Sequence, residues 1–120
     1  MSVKANVRQS GNVAIIDLTG RIRLGEGTGL LRNTIKDVLE KGSHNILINL
    51  ENVSYIDSSG LGELVGAYAT VGNRGGNIKL LKAQKNLTEL LQVTKLYTVF
   101  EVFEDETAAV DSFSKQSASA

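Results

Sequence analysis

The stretch YIDSSGLGELV, residues Tyr55–Val65, places two glycines where the first turns of a helix should form. Asp57 is a favoured helix N-cap, because its carboxylate accepts hydrogen bonds from the unpaired backbone N–H groups that follow it. The first turn would then contain two serines and Gly60, with Gly62 just beyond it. Each glycine inside a helix costs about 1 kcal/mol relative to alanine, so something must compensate for the pair.

Two explanations for these glycines are open and compatible. In the first, the start of the helix lies so close to a strand or loop that a Cβ atom would clash. In the second, bare backbone beside Ser58 and Ser59 lets a bulky partner, such as a kinase with its nucleotide, reach the hydroxyl groups. The N–H groups and dipole of a helix N-terminus favour a phosphoserine there, whereas Asp57 would repel it. That balance suits a reversible switch.

Around this stretch the sequence alternates between strands and helices. The β-prone runs Val3–Arg8 and Val13–Leu18 flank the turn residues Ser10-Gly11-Asn12, which predicts an antiparallel hairpin. The apolar run Asn45–Leu50 predicts a central strand that is covered on both faces. Further predicted elements are a helix over Thr28–Lys41 ended by Gly42, a strand over Ile78–Leu81, a helix carrying Leu87, Leu90, Leu91 and Thr94, an extended segment over Val99–Phe103, and a last helix after the acids Glu104, Asp105 and Glu106.

This order predicts an α/β domain with a mixed sheet, an N-terminal hairpin followed by a parallel centre, and about four helices packed on it. The helix after Asp57 is predicted to carry an apolar face, formed by Leu61, Leu64, Val65, Tyr68 and Val71 or Gly72. The glycine-rich segment between Gly20 and Gly29 is predicted to be irregular. We expect one domain over residues 1–115 and a disordered tail over residues 116–120.

The composition narrows the class of function. A chain of 120 residues with 42% hydrophobic content suits one compact domain. The 13 basic and 13 acidic residues cancel, so no long-range field draws the molecule to nucleic acid or an anionic membrane. The chain has no cysteine, no apolar signal region and no run of about 20 apolar residues. We therefore expect a cytoplasmic chain whose partner is a protein. We also expect a monomer, with no cofactor and no metal.

Catalysis by Ser58 itself is not expected. The flanking residues do not form G-x-S-x-G, and the only histidine, His44, precedes the predicted strand Asn45–Leu50 while Ser58 follows its far end. Six extended residues separate the two sheet edges by roughly 15–20 Å, whereas a serine and its base must lie within hydrogen-bond reach.

The motif DSSGLG at Asp57–Gly62, which follows an apolar strand and an Asn-Leu pair, resembles that of bacterial anti-sigma factor antagonists, single-domain proteins of the STAS family. The resemblance covers nearly the whole chain. It is supported by Leu18-Thr19-Gly20 closing the second strand, by Gly75-Gly76 before the next strand, and by Leu87–Phe103 leading into an acidic final helix.

The resemblance implies a switch without catalytic activity of its own. In members with this motif, the first serine after the aspartate is phosphorylated by an anti-sigma factor that is also a serine kinase. Here that serine is Ser58, with Ser59 as the second choice, and Asp57, Gly60 and Gly62 would support the site. The unmodified antagonist binds the anti-sigma factor and frees the sigma factor, the phosphorylated form lets go, and a metal-dependent serine phosphatase resets it.

By the same resemblance, the loop from Gly20 to Gly29 and the start of the second helix flank the docking surface. The residues expected to contact the partner are Arg21, Arg23, Ser59, Leu61 and Glu63. One position departs from the family pattern, because antagonists often carry an acid where this chain has Arg23. If that acid meets a basic group on the kinase, an arginine would place like charges together and lower the affinity.

A second hypothesis belongs to a different class of protein. It is a constitutive STAS scaffold or subunit, such as the small component that accompanies a lipid-transport ATPase. The serine-bearing helix would then pack permanently against a partner, and the complex would not respond to ATP.

Overall fold

The computed structural model of the protein describes residues 3–22 and 28–118. Within them lie, in chain order, β1 (Lys4–Ser10), β2 (Val13–Ile22), α1 (Thr28–Glu40), β3 (Asn45–Ile56), α2 (Ser58–Asn73), β4 (Asn77–Leu81), α3 (Lys85–Thr94), a 3₁₀ turn (Leu96–Thr98), β5 (Val102–Phe103) and α4 (Glu106–Ala118). The strands form one sheet in the order β1-β2-β3-β4-β5, with β1 and β2 antiparallel and each later pair parallel. The predicted α/β fold with a mixed sheet and four helices is confirmed.

The N-terminal hairpin has the predicted turn. Ser10 pairs with Val13, so the loop consists of Gly11 and Asn12 alone. Gly11 has a φ angle of +59°, a conformation that two-residue hairpin loops need and that glycine adopts without steric cost. The hairpin prediction is confirmed, and both strands extend beyond the predicted runs.

β3 is longer than its apolar run. It continues past Leu50 to Ile56, because β2 runs beside it until Ile22 pairs with Ile56. The added residues are mostly polar and exposed, which is why the sequence pattern did not mark them as strand. Arg21 also belongs to β2, so the prediction of an irregular segment from Gly20 onward is wrong at its start. Residues 23–27, including Arg23, lie outside the described residues.

The core has two layers, one on each face of the sheet. Alternate strand residues point to opposite faces. On the first face, α1, α2 and α3 cover a cluster that includes Ile16, Ile48, Leu80, Leu31, Ile35, Leu64, Val71, Leu87, Leu91 and Phe100. On the second face, α4 covers a smaller cluster formed by Val13, Ile15, Leu47, Leu81, Ala109 and Phe113, with Phe103 packed against it. Phe100 and Phe103 therefore lie on opposite faces of the sheet.

The predicted apolar face of α2 is only partly buried. Leu61, Leu64 and Val71 belong to the core, whereas Val65 and Tyr68 are 38% and 42% exposed. The buried stripe instead contains Leu64, Ala67 and Val71 at positions i, i+3 and i+7. The small side chain of Ala67 lets the helix pack close to its neighbours, and the larger apolar residues beside it remain at the surface.

The segment after α3 is only partly extended. The prediction of an extended run over Val99–Phe103 is wrong at its start, since a 3₁₀ turn precedes it and Val99 has helical backbone angles. This turn directs Phe100 into the core. α4 runs to Ala118, so residues 116–118 of the expected tail continue the helix, and residues 119 and 120 lie outside the described part of the chain.

An ion network attaches α4 to the sheet. The Arg8 guanidinium lies 2.6 Å from Asp17 Oδ2 and 2.8 Å from Glu106 Oε1, and Asn49 Nδ2 donates to Asp17 Oδ1 at 2.7 Å. Hydrogen bonds from Arg8 lower the pKa of both carboxyl groups against the opposing effect of burial.

Asp105 accepts from Ala108 N at 2.9 Å. Of the three acids predicted at the start of the last helix, Asp105 thus caps it and Glu106 anchors it.

Candidate functional site

The site begins where β3 turns into α2. Asp57 has extended backbone angles (φ −101°, ψ −173°), and its Oδ1 accepts from Gly60 N at 2.9 Å. The first helical hydrogen bond runs from Leu61 N to Asp57 O at 2.9 Å. Asp57 is therefore the N-cap of α2, as the sequence predicted, and it fixes the first turn that carries the two serines.

The two glycines of the motif differ in their surroundings. A Cβ atom at Gly60 would lie 2.5 Å from Ile56 Cγ1 and 2.7 Å from Ile22 O, distances that no real Cβ contact tolerates. At Gly62 a Cβ atom would meet nothing within 4 Å. Close packing against the sheet thus explains Gly60, whereas nothing within the described fold accounts for Gly62.

The two serines differ in access. Ser58 is exposed at the first position of α2, while Ser59, one residue later, is half-buried. Ser58 is therefore the more exposed of the two serines, and the exposed Gly62 lies one turn further along the helix.

Side chains at the N-terminus of α3 form hydrogen bonds with the end of β3, which leads into the site. β4 pairs with β3 only as far as Asn49. On this side of β3, backbone groups beyond Asn49 therefore form hydrogen bonds with side chains instead of a strand. Asn86 Oδ1 accepts from Ile56 N at 3.0 Å, and Asn86 Nδ2 donates to Ile56 O at 2.9 Å. Gln84 Nε2 donates to Glu51 O at 2.6 Å. Asn86 thus takes the place of a neighbouring strand directly before Asp57.

The role of Asn86 was not predictable from the sequence pattern. Its partner lies 30 positions away in the chain, and a polar residue at the start of a helix is normally read as solvent-facing. The one available signal was that the polar pair Gln84 and Asn86 stands just before the buried Leu87.

The residues predicted to contact the partner differ from one another in exposure and in their own contacts. Arg21 is exposed beside Tyr55, with its guanidinium carbon 5.6 Å from the ring centroid. Glu63 is only 15% exposed and lies 3.1 Å from Arg32 Nη2 of α1. Leu61 is 5% exposed and belongs to the core, so it supports the helix and offers almost no surface to a partner.

No histidine base lies near Ser58 in the described fold. The Nδ1 atom of His44 lies 3.1 Å from Gly42 O, before the start of β3. Ser58 follows the opposite end of this 12-residue strand, which extends about 3.3 Å per residue. His44 is therefore far outside hydrogen-bond reach of Ser58.

A helix that crosses a membrane must be long and apolar enough to span the hydrocarbon layer. Across residues 3–22 and 28–118, no helix combines the length and apolar character that crossing a bilayer requires. α2, the most apolar helix of the first layer, is 16 residues long, whereas a spanning helix needs about 20.

The sequence and the fold match known proteins along most of the chain. The sequence model described as the STAS domain matches residues 4–109, so the chain belongs to the STAS domain family. The anti-sigma-B factor antagonist of Bacillus subtilis (strain 168) is 30% identical over 102 residues, which cover 85% of this chain and 92% of that protein. This relative is an antagonist, which does not favour the alternative of a transport-associated subunit.

Solved structures agree on the fold. An anti-sigma factor antagonist from Mycobacterium paratuberculosis superimposes with a TM-score of 0.82 at 19% identity, covering 93% of this chain and 94% of that one. The Bacillus cell fate determinant SpoIIAA in its phosphorylated form gives a TM-score of 0.70 at 22% identity, covering 90% and 97%. At these identities the similarity establishes a shared fold.

Proposed function

We propose that this protein is an anti-sigma factor antagonist that binds its partner through the surface around Ser58 and releases it when Ser58 is phosphorylated. The observation that carries this proposal is that Ser58 is exposed in the first turn of α2, one turn before Gly62, where a Cβ atom would meet nothing within 4 Å. The antagonist role of the Bacillus subtilis relative supports it. The partner is an anti-sigma factor that is also a serine kinase, and both act in the cytoplasm.

The local chemistry suits a reversible modification. Phosphate is favoured at a helix N-terminus, where backbone N–H groups and the helix dipole attract negative charge. The phosphoserine would nevertheless stand next to the Asp57 carboxylate, whose Oδ1 already binds Gly60 N. Adding about −1.5 to −2 charges at Ser58 therefore makes the surface strongly anionic while leaving the helix cap in place.

Each residue around Ser58 has a proposed part. The kinase transfers the γ-phosphoryl group of ATP to Ser58 Oγ. The new Oγ–P bond replaces the bond to the β,γ-bridging oxygen, ADP leaves, and the hydroxyl proton passes to a base on the kinase. Gly62 leaves room for its approach, while Asp57 and Gly60 hold the turn. Arg21, Ser59 and Glu63 border the contact, and a serine phosphatase removes the phosphoryl group. Arg23 replaces the acid that antagonists often carry, and we propose that it alters the choice of kinase.

Intact-mass measurement after incubation with the cognate anti-sigma factor and ATP tests the acceptor. Wild type should gain one phosphoryl group, and Ser58→Ala should gain none. Ser59→Ala is the matched control and should be modified like wild type. Full incorporation into Ser58→Ala would place the acceptor elsewhere and end this proposal.

A further inference from the structure

A groove of about 440 Å³ runs between α1 and α2, starting one turn after Ser58. Its floor is apolar, formed by the buried side chains of Ile35 and Ala67. On the α2 side, Gly62 and Gly66 leave two positions of the wall without a side chain. The rim carries Arg32, Lys36, Glu63 and Arg74.

The rim has an excess of positive charge. Glu63, its single carboxylate, is paired with Arg32 at 3.1 Å. Lys36 and Arg74 are exposed, and neither forms an ion pair with any residue in the described ranges. Since the whole chain has a formal net charge of zero, these two cations are a local feature of the groove.

Nothing in the described part of the chain requires a glycine at Gly62 or Gly66. A Cβ atom at Gly62 or Gly66 would meet nothing within 4 Å, and neither residue has a positive φ angle. Each costs the helix about 1 kcal/mol relative to alanine. The exposed residues of α2 beyond Glu63 are also uncharged, namely Val65, Gly66, Tyr68, Ala69, Thr70, Gly72 and Asn73. A helix face of this kind is suited to close contact with another protein.

We propose that this groove is a second docking surface for the anti-sigma factor and that it receives an acidic helix of that partner. The inference rests on the proposed function. Small side chains of the acidic helix would approach the bare backbone at Gly62 and Gly66, and its carboxylates would face Lys36 and Arg74. The groove admits a few side chains, so the helix lies across it with one face inserted.

This occupant also explains how a phosphoryl group on Ser58 lowers affinity. Gly62 follows Ser58 by four residues, a rise of about 6 Å along the helix. That distance is shorter than the Debye length of about 8 Å at physiological salt. A phosphoserine would therefore repel an acidic helix in the groove without any change in the fold.

Charge reversal in the groove tests the proposal. Lys36→Glu and Arg74→Glu are each introduced into the unphosphorylated full chain. Each should weaken binding to the anti-sigma factor by about tenfold and make the Kd less dependent on salt concentration. Lys4→Glu is the control, since it makes the same charge change at an exposed β1 position on the sheet face that carries α4. It should leave the Kd from isothermal titration calorimetry within about twofold of wild type.

A glycine substitution gives a second measurement that does not depend on charge. Gly66→Ala should raise the Tm, because its methyl group has room in the free protein, yet weaken binding about tenfold by blocking close approach. Gly72→Ala, on the same helix but outside the groove, should raise the Tm and leave binding unchanged.

The possible results separate the two proposals. If the groove variants bind like wild type while Ser58→Glu abolishes binding, the groove proposal is overturned and the proposed function stands. If wild type binds no anti-sigma factor of its host, both are overturned. Should a charge variant lose its folded circular dichroism spectrum, the comparison of Gly66→Ala with Gly72→Ala decides.

Discussion

At the scale of single residues, Gly60 and Gly62 stand two positions apart in one helix for different physical reasons. The sequence predicted that the destabilising effect of two glycines on the helix must be compensated. It left close packing against the sheet and access of a partner as two open explanations. Which one applies depends on Ile22 and Ile56, whose atoms occupy the space beside Gly60 and not beside Gly62. Sequence periodicity could not reveal this, because it does not give the distance between a helix and the strand it follows.

Alanine substitutions at these two glycines should have opposite effects on stability. Gly60→Ala would overpack the junction with β2 and β3 and lower the free energy of unfolding by about 1–3 kcal/mol. Gly62→Ala removes a flexible helix residue without a clash and should raise it by up to about 1 kcal/mol. Urea denaturation monitored by circular dichroism measures both. Equal effects at the two positions would show that the packing account of Gly60 is wrong.

The N-cap of α2 gives a second prediction at this scale. Asp57→Ala removes the bond to Gly60 N and should lower the free energy of unfolding by about 0.5–2 kcal/mol. Asp57→Asn is the matched variant, since its side-chain oxygen can still cap the helix but carries no charge. It should retain most of the stability in chemical denaturation. If Asp57→Asn is as unstable as Asp57→Ala, capping is not the basis of the effect.

At the scale of elements, the junction between β3 and α2 depends on α3. Asn86→Ala leaves the N–H and C=O of Ile56 without their partner and should lower the free energy of unfolding by about 1–3 kcal/mol. Asn33→Ala, at an exposed position of α1, is the control and should change it by less than about 0.5 kcal/mol. Thermal or urea unfolding gives both values. A loss no larger than that of the control would mean that the Asn86 bonds contribute nothing to this junction.

The elements were predicted where local pattern and packing agree. The hairpin, the apolar half of β3 and the start of α2 follow from turn residues, an apolar run and a capping aspartate. The polar half of β3 was missed because its strand structure depends on pairing with β2, which is a tertiary contact. The exposure of Val65 and Tyr68 could not be predicted, because apolar character alone does not distinguish a core residue from an exposed apolar one.

At the scale of the whole molecule, the network of Arg8, Asp17 and Glu106 connects the two ends of the chain. Arg8 lowers the pKa of both carboxyl groups below their ordinary values of 3.8 and 4.5. A lowered pKa stabilises the folded state at pH values above the ordinary pKa, and this contribution is lost as the pH falls through the folded value. The network should therefore stabilise the protein at neutral pH and cease to do so in acid.

Urea denaturation of wild type and Arg8→Gln between pH 7 and pH 3 tests this prediction. The difference in free energy of unfolding should be constant from neutral pH to about pH 5 and should shrink as the pH falls below about 4. Comparing the two proteins at each pH cancels the titration of other groups. A difference that stays the same at pH 3, or grows, would contradict the role given to Arg8.

The network could not be predicted from the sequence, because its three charged members lie in β1, β2 and α4 and meet only in the folded sheet. The position of Ser58, by contrast, could be predicted, since the cap and the first turn are local. What the sequence could not give is the shape of the surface around it. Leu61 is buried beneath that surface, Glu63 is paired with Arg32, and a groove runs between α1 and α2. No short motif predicts any of these features.

The central claim is that phosphorylation of Ser58 controls affinity for the anti-sigma factor. Its most direct test is the Kd of the full chain for the cognate anti-sigma factor before and after stoichiometric phosphorylation, with Ser58→Ala carried through the same reaction. We predict that modification weakens wild-type binding by about 100-fold or more and that Ser58→Ala binds tightly throughout. Equal affinity of the phosphorylated and unmodified chains would contradict the claim.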